Sequence, residues 1–310
     1  MLFKKSQQSW VAAMIVAVSG VQAAISDDAW WDSQSWTIDE VGISVDKGIV
    51  SGITDEDDQF IKSPWTIPDH PDDYTSKPNA MRVKSVLPES TFNDWLIDGN
   101  SMYTYNSFLR AVAKFPAFCG ESVSPLNYGD DDTCKREIAT IFAHMMITSD
   151  GLSKLEDPAS AEVFKARGPL GLTGQTDYEQ FSATFYEGFN RKDELSNDPE
   201  RVSTDGYLGF AAAVWKYMTP QSPAPSMHNI MTGFYVPNQS NIRAGQEAGF
   251  GATMLIASKL SCGNNVVTEE AAARSDMFVE LLSDLGLQES QNLSCDGMWT
   301  DFAWDGSSNK

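Results

Sequence analysis

The sequence predicts a mainly α domain, preceded by a short irregular or β-containing segment. Three observations carry this. Apolar residues recur at helical spacing from Leu87 onward, Pro-, Gly- and Ser-rich stretches separate the helical runs, and the chain before residue 88 lacks that period.

Taken in order, residues 1–23 read as a secretory signal. Lys4 and Lys5 precede an apolar run from Trp10 to Val18, and Val21 and Ala23 put small residues at the −3 and −1 positions of a cleavage site after Ala23. The run is too short to span a bilayer, and no other segment approaches that length. The expected product is a soluble, secreted or periplasmic protein.

Residues 24–88 form an acidic, Trp-rich segment with Trp30, Trp31, Trp36 and Trp65, the cluster Asp55-Glu-Asp-Asp58, and Pro64, Pro68, Pro71 and Pro78. Val41–Val45 and Gly48–Val50 read as short strands. Two readings stand for it: a small sugar-binding module gripping pyranose faces with aromatic rings, or a linker whose tryptophans pack on the main domain.

The helical domain is expected over residues 89–300, with 301–310 as a tail. Leu109, Val112 and Phe115 share one helical face, as do Ile138, Ile141, Phe142 and Met145. The Met145-Met146 pair reads as core filling. Thr268 is placed to cap a helix with Glu269 and Glu270 in its first turn, apolar Met277, Leu281 and Leu282, and a stop near Gly286. Residues 219–252, rich in Pro, Gly and Ser, read as a long loop.

Composition narrows the partners. The 310-residue chain carries a formal charge of −21, and loss of Lys4 and Lys5 with the signal takes it to −23. Such a surface repels nucleic acid and anionic membranes. Cys119, Cys134, Cys262 and Cys295 are an even set in an exported chain, which suggests two disulfides with three connectivities open. No C-x-x-C pair exists and His70, His144 and His228 are scattered, so neither a zinc site nor another metal or cofactor is expected.

Residues 136–152 read R-E-I-A-T-I-F-A-H-M-M-I-T-S-D-G-L. They resemble the R-E-x-A-x-F-x-A-x-x-x-x-E-T-G-G helix of glycoside hydrolase family 19 chitinases, which carries the proton-donating glutamate. Ala139, Ala143 and Gly151 match, and the glutamate position falls on Thr148. Further segments match in the same order: Tyr103–Phe108 running into Ala113–Gly120, Ala166-Arg-Gly-Pro-Leu170, Trp215-Lys-Tyr-Met-Thr-Pro-Gln-Ser-Pro-Ala-Pro-Ser226, and Gly249-Phe-Gly251 followed by Cys262-Gly263.

The resemblance implies a two-lobed, lysozyme-like domain with a substrate groove, a β-1,4-linked N-acetylglucosamine polymer such as chitin as partner, and the pairings Cys119–Cys134 and Cys262–Cys295. It also implies inverting hydrolysis by two carboxyl groups, one donating a proton to the leaving oxygen and one activating water. A threonine at 148 cannot donate that proton. Asp150 lies two residues on, about 200° around a helix, and is a poor substitute.

Glu156 or Asp157 falls where compact relatives place the base; the other reading is that both merely solvate a loop. Thr173 keeps the hydroxyl that positions water, Asp177 and Tyr178 stand in the family's Asn-Tyr-Asn-Tyr stretch, and Gly171 replaces a glutamine. Ser258 falls on a sugar-binding asparagine. Arg274 matches the arginine that pairs with the catalytic acid and with the glutamate of E-C-G, which here is Ser261.

The implied site, Thr148, Glu156, Thr173, Tyr178, Ser261 and Arg274, is expected in one cleft. Three functions remain: a catalytically impaired chitinase-like protein that binds glycan, an active chitinase or peptidoglycan hydrolase using Glu156 or Asp157, and a non-enzymatic scaffold for proteins. Losses at Thr148, Ser261 and Ser258 beside well-kept scaffold strings favour the first.

Overall fold

The computed structural model describes residues 74–120, 129–186, 193–221, 224–258, 262–263, 266–299 and 302. The signal, the tryptophans and strands of the N-terminal segment, and all of the tail but Phe302 lie outside them. The described residues are mostly helical. Their strands are Cys262–Gly263 and Val266–Val267, an antiparallel pair of two residues each. No helix among them is long and apolar enough to cross a membrane.

The centre is the helix α4 (Asp130–Ser149). Asp130, Asp131 and Asp132 occupy its first turn, where negative charge suits the helix dipole. Ile138, Ala139, Ile141, Phe142, Ala143, Met145 and Met146 are all buried, so neighbours cover it nearly all round. These include α1 (Pro78–Val86), α8 (Met227–Thr232), α10 (Phe250–Ala257) and α11 (Glu269–Asp284). The helix α7 (Gly206–Met218) packs mainly on α3 (Tyr105–Ala113). Phe142 meets Phe108 and Phe92 edge-on at 5.0 and 5.8 Å, and Phe108 meets Phe210 at 5.3 Å. Four elements thus share one aromatic centre, with α2 (Glu89–Trp95) supplying Phe92.

The helical body begins earlier than the periodicity suggested. Pro78 opens α1, because a proline at the first helical position loses no hydrogen bond and has its φ preset. The helix buries Ala80, Val83 and Val86. The buried Asn79 amide donates to the carbonyls of Val112, Phe115 and Phe118 at 2.9, 3.0 and 3.2 Å, closing the end of α3.

Residues 219–252 are not one loop either. Besides α8 they contain α9 (Gln239–Arg243) and the start of α10. Polar residues that read as loop are caps: Ser226 accepts from the Asn229 N–H, and Asn238 and Asn241 form a reciprocal capping box.

Both disulfides take the pairing that the resemblance implied. Cys119 joins Cys134 and Cys262 joins Cys295, with Cα–Cα distances of 4.5 and 6.0 Å. The Arg136-Glu137 pair of the helix motif braces the fold. Arg136 bonds Glu289 at 2.8 Å and the Met231 carbonyl at 2.6 Å. Glu137, fully buried, accepts from the Cys119 N–H at 2.9 Å and pairs with His228 Nδ1 at 2.5 Å.

Candidate functional site

Thr148 lies exposed in the last turn of α4. The helix ends two residues later because Asp150 adopts a left-handed conformation, its N–H closing on the Met146 carbonyl. Asp150 is exposed and pairs with Lys154 at 3.4 Å, away from Thr148.

Arg274 comes across from α11 and is 2% exposed. One terminal nitrogen donates to the His144 carbonyl at 3.1 Å and to His144 Nδ1 at 3.2 Å. The other donates to the Thr148 hydroxyl at 3.1 Å and to Glu270 Oε1 at 2.7 Å. His144 Nε2 lies 2.8 Å from the Thr253 hydroxyl, which donates its own proton to the Phe250 carbonyl. Nε2 therefore carries the hydrogen and Nδ1 accepts from the guanidinium. Burial, and then the Arg274 charge, hold this imidazole neutral by pushing its pKa well below the usual range. Its ring lies nearly parallel to Phe250 at 4.9 Å, and Phe250 to Phe278 at 4.4 Å. Three stacked rings fix the histidine, which in turn aims Arg274 at Thr148.

The facing strip runs from Leu155 to Gly174, folded back through bridges between Glu156 and Arg167 and between Arg167 and Leu172. Gly171 sits at φ +61°, and a Cβ placed there would lie 3.6 Å from the Thr148 methyl. Lys216 of α7, half-buried, donates to the Leu170 and Gly171 carbonyls at 3.0 and 3.4 Å. Burial chiefly lowers its pKa; Asp177 opposes this and Arg274 adds to it. Asp177, in the first turn of α5 (Gln175–Phe185), is raised by burial and partly offset by Lys216. Thr148, Gly171, Lys216, Arg274 and Asp177 therefore share one locality.

Glu156 is held by Lys165 at 2.7 Å and by Arg167 at 3.2 Å. These contacts, the Lys165 hydrogen bond first, pull its carboxyl below the usual range. A depressed folded-state value means the pairing stabilises the protein above the unfolded carboxyl's pKa, near pH 4.5, and is lost as pH falls through the folded value. Glu156→Gln is expected to shrink the drop in Tm between pH 7 and pH 3; melting curves with equal drops would count against these pairings.

Tyr178 follows on α5. It is fully buried, and its hydroxyl donates to the Lys165 carbonyl at 3.0 Å and accepts from Arg167 at 3.2 Å. It braces the strip that carries Glu156. Thr173 is exposed, with its hydroxyl on the Phe164 carbonyl at 3.3 Å. Asp157 is exposed and caps the turn at Ala159. Ser258 is the partly buried C-cap of α10. Ser261 lies outside the described residues.

Sequence reasoning missed Glu270, Lys216 and Arg167. Glu270 had a signal, since an acid four residues before Arg274 on one helix is a pairing spacing. Lys216 had one too, as a lysine replacing the phenylalanine of an otherwise well-matched string. Among the described residues no His, Cys, Asp and Glu cluster is placed to hold a metal.

The family profile described as chitinase class I, glycoside hydrolase family 19, matches residues 151–295. The acidic 26 kDa endochitinase of Solanum lycopersicum is 30% identical over 233 residues, covering 70% of this chain and 87% of that protein. Acidic endochitinase Q of Nicotiana tabacum is 28% identical over 237 residues, with coverages of 70% and 87%. In structure, chitinase C from Streptomyces griseus HUT6037 superposes with a TM-score of 0.54 at 22% identity over 68% of this chain and 80% of that one. The class IV chitinase from Zea mays superposes with a TM-score of 0.52 at 22% identity, covering 69% and 100%.

Proposed function

The chain belongs to glycoside hydrolase family 19, chitinase class I, and from that membership we propose an exported protein that binds β-1,4-linked N-acetylglucosamine chains in its groove and cleaves them far more slowly than a fully equipped family enzyme. The observation that carries this is the hydrogen bond from Arg274 to Thr148. The arginine that in the family pairs with the acid here holds a hydroxyl, which stays protonated at any working pH and cannot serve as a general acid. Glu156 is the base in this reading. Its cationic neighbours keep it ionised, as a proton acceptor needs.

Purified protein incubated with chitin oligosaccharides, scored for both binding and cleavage, tests the proposal. Binding without turnover at ordinary family rates is the expected result. Family-level turnover would overturn the impairment. Absence of binding would overturn the glycan role and favour a scaffold for other proteins.

Export rests on the charged, apolar and small-residue order of residues 1–23. Mass spectrometry of the released protein is expected to show a chain beginning at Ala24 with no free thiol. An intact N-terminus would count against export.

A further inference from the structure

We propose that Trp299 anchors a second glycan-binding site, a surface platform that takes the pyranose face of a neutral N-acetylglucosamine chain outside the groove. The class of sugar is taken from the function proposed above; the position rests on this chain's own surface. Among the described residues Trp299 is the one exposed aromatic side chain, at 64%, while the other rings are buried or half-buried.

The exposed ring sits on a fixed backbone. The Trp299 N–H donates to the Ala244 carbonyl at 3.0 Å, and the buried Gln246 amide donates to the Trp299 carbonyl at 2.9 Å. Gln246 also ties in the two neighbouring stretches. Its amide oxygen accepts from the Asn241 side chain at 2.9 Å, and its backbone carbonyl accepts from the Tyr235 hydroxyl at 3.0 Å. Next to these tied residues stand Ile242, 45% exposed near the end of α9, and Val236, 82% exposed just before that helix. One buried glutamine thus braces the excursion that carries three of the exposed apolar side chains. A ring held this way loses little freedom when it binds.

Size and charge select the occupant. Three side chains cover far less than the about 800 Å² that each partner buries in a stable protein interface, which disfavours a second copy. The charge of −21 disfavours nucleic acid and anionic membranes. A neutral sugar meets neither obstacle. The C–H face of one pyranose matches one indole, an apolar body with a polar edge. Gln239, exposed on the same helix as Ile242, offers an uncharged amide for sugar hydroxyls.

The mature protein, Trp299→Ala and Trp299→Phe are compared for binding to chitin particles and, by calorimetry, to the N-acetylglucosamine hexamer. Melting temperature and gel-filtration elution are recorded for each. Trp299→Ala is expected to melt with the wild type and to bind particles about tenfold more weakly, and Trp299→Phe, which keeps a ring, to recover most of that loss. The wild type is expected to show two hexamer sites and Trp299→Ala one. A single wild-type site that Trp299→Ala retains, or equal particle binding by the two proteins, overturns the platform and leaves the groove. A single site that Trp299→Ala loses overturns the groove reading and leaves the platform. No site in the wild type overturns both. A wild-type dimer that Trp299→Ala splits overturns the platform in favour of a contact between copies.

Discussion

Thr148→Glu is expected to raise turnover of chitin oligosaccharides by about 10²-fold, the lower end of what a positioned proton donor contributes. The new side chain would start from an exposed position already hydrogen-bonded to Arg274. From sequence alone the gain would be slight, because Ser261 leaves Arg274 without its second carboxylate. The structure changes that expectation, since Glu270 stands on the same guanidinium. The gain stops short of a full acid's effect because the new carboxyl would share the Arg274 guanidinium with Glu270. Groups that act as a unit do not contribute additively, so Thr148→Glu with Ser261→Glu should exceed the single change only if the two acids on Arg274 do not compete. Steady-state kinetics on a defined oligomer decides it. An unchanged kcat in Thr148→Glu would show that the groove lacks a working base as well.

The largest expected loss of stability is at Glu137. Its carboxylate is fully buried, accepts the Cys119 N–H, and pairs with the equally buried His228. Removing one member of a buried pair leaves the other uncompensated, at a cost of about 3–5 kcal/mol. Glu137→Ala should show that loss in urea unfolding, and Glu137→Gln, which keeps an acceptor oxygen, a smaller one. Cys119 adds to the effect, because it holds φ +57° and is tied into the bridge to Cys134. With the Glu137 contact gone, less holds that unfavourable backbone in place. A loss near zero for Glu137→Ala would mean that the disulfide alone fixes this corner.

Much of the architecture was legible because local signals and tertiary need coincide. Thr268 caps α11 by accepting the Ala271 N–H, and Met145 and Met146 are buried on α4. The misreadings share one physical cause. Proline, serine and asparagine mark helix starts as well as loops, and their meaning depends on what the next turn packs against. In sequence Pro78 reads with Pro64, Pro68 and Pro71, yet the helix it opens packs on α3 and α4. Asn238 looked like loop and is a cap.

The site divides the same way. The absence of an acid at 148 was visible from a matched string. The Arg274–Glu270 pair has a local spacing that could be read, but its meeting with the Thr148 hydroxyl has none, because only the crossing of α4 and α11 brings that nitrogen to both oxygens. Tyr178 matched a sugar-contact position, but burial of its ring directs the hydroxyl to Arg167 and Lys165.

The anchoring of α1 has a consequence for anyone who cuts or fuses this protein. Asn79 stoppers the end of α3, and Arg82 reaches the Cys119 carbonyl at 2.8 Å and Asp130 at 3.2 Å. A recombinant fragment begun at residue 89, where the sequence pattern invites the cut, would strip the Asn79 amide from three carbonyls and expose the apolar bed of Ala80 and Val83. The excisable helical domain therefore starts upstream of Pro78. Cargo spliced on ahead of that proline would be mounted on a helix seated in the core, and would ride the domain as a fixture rather than on a free tether.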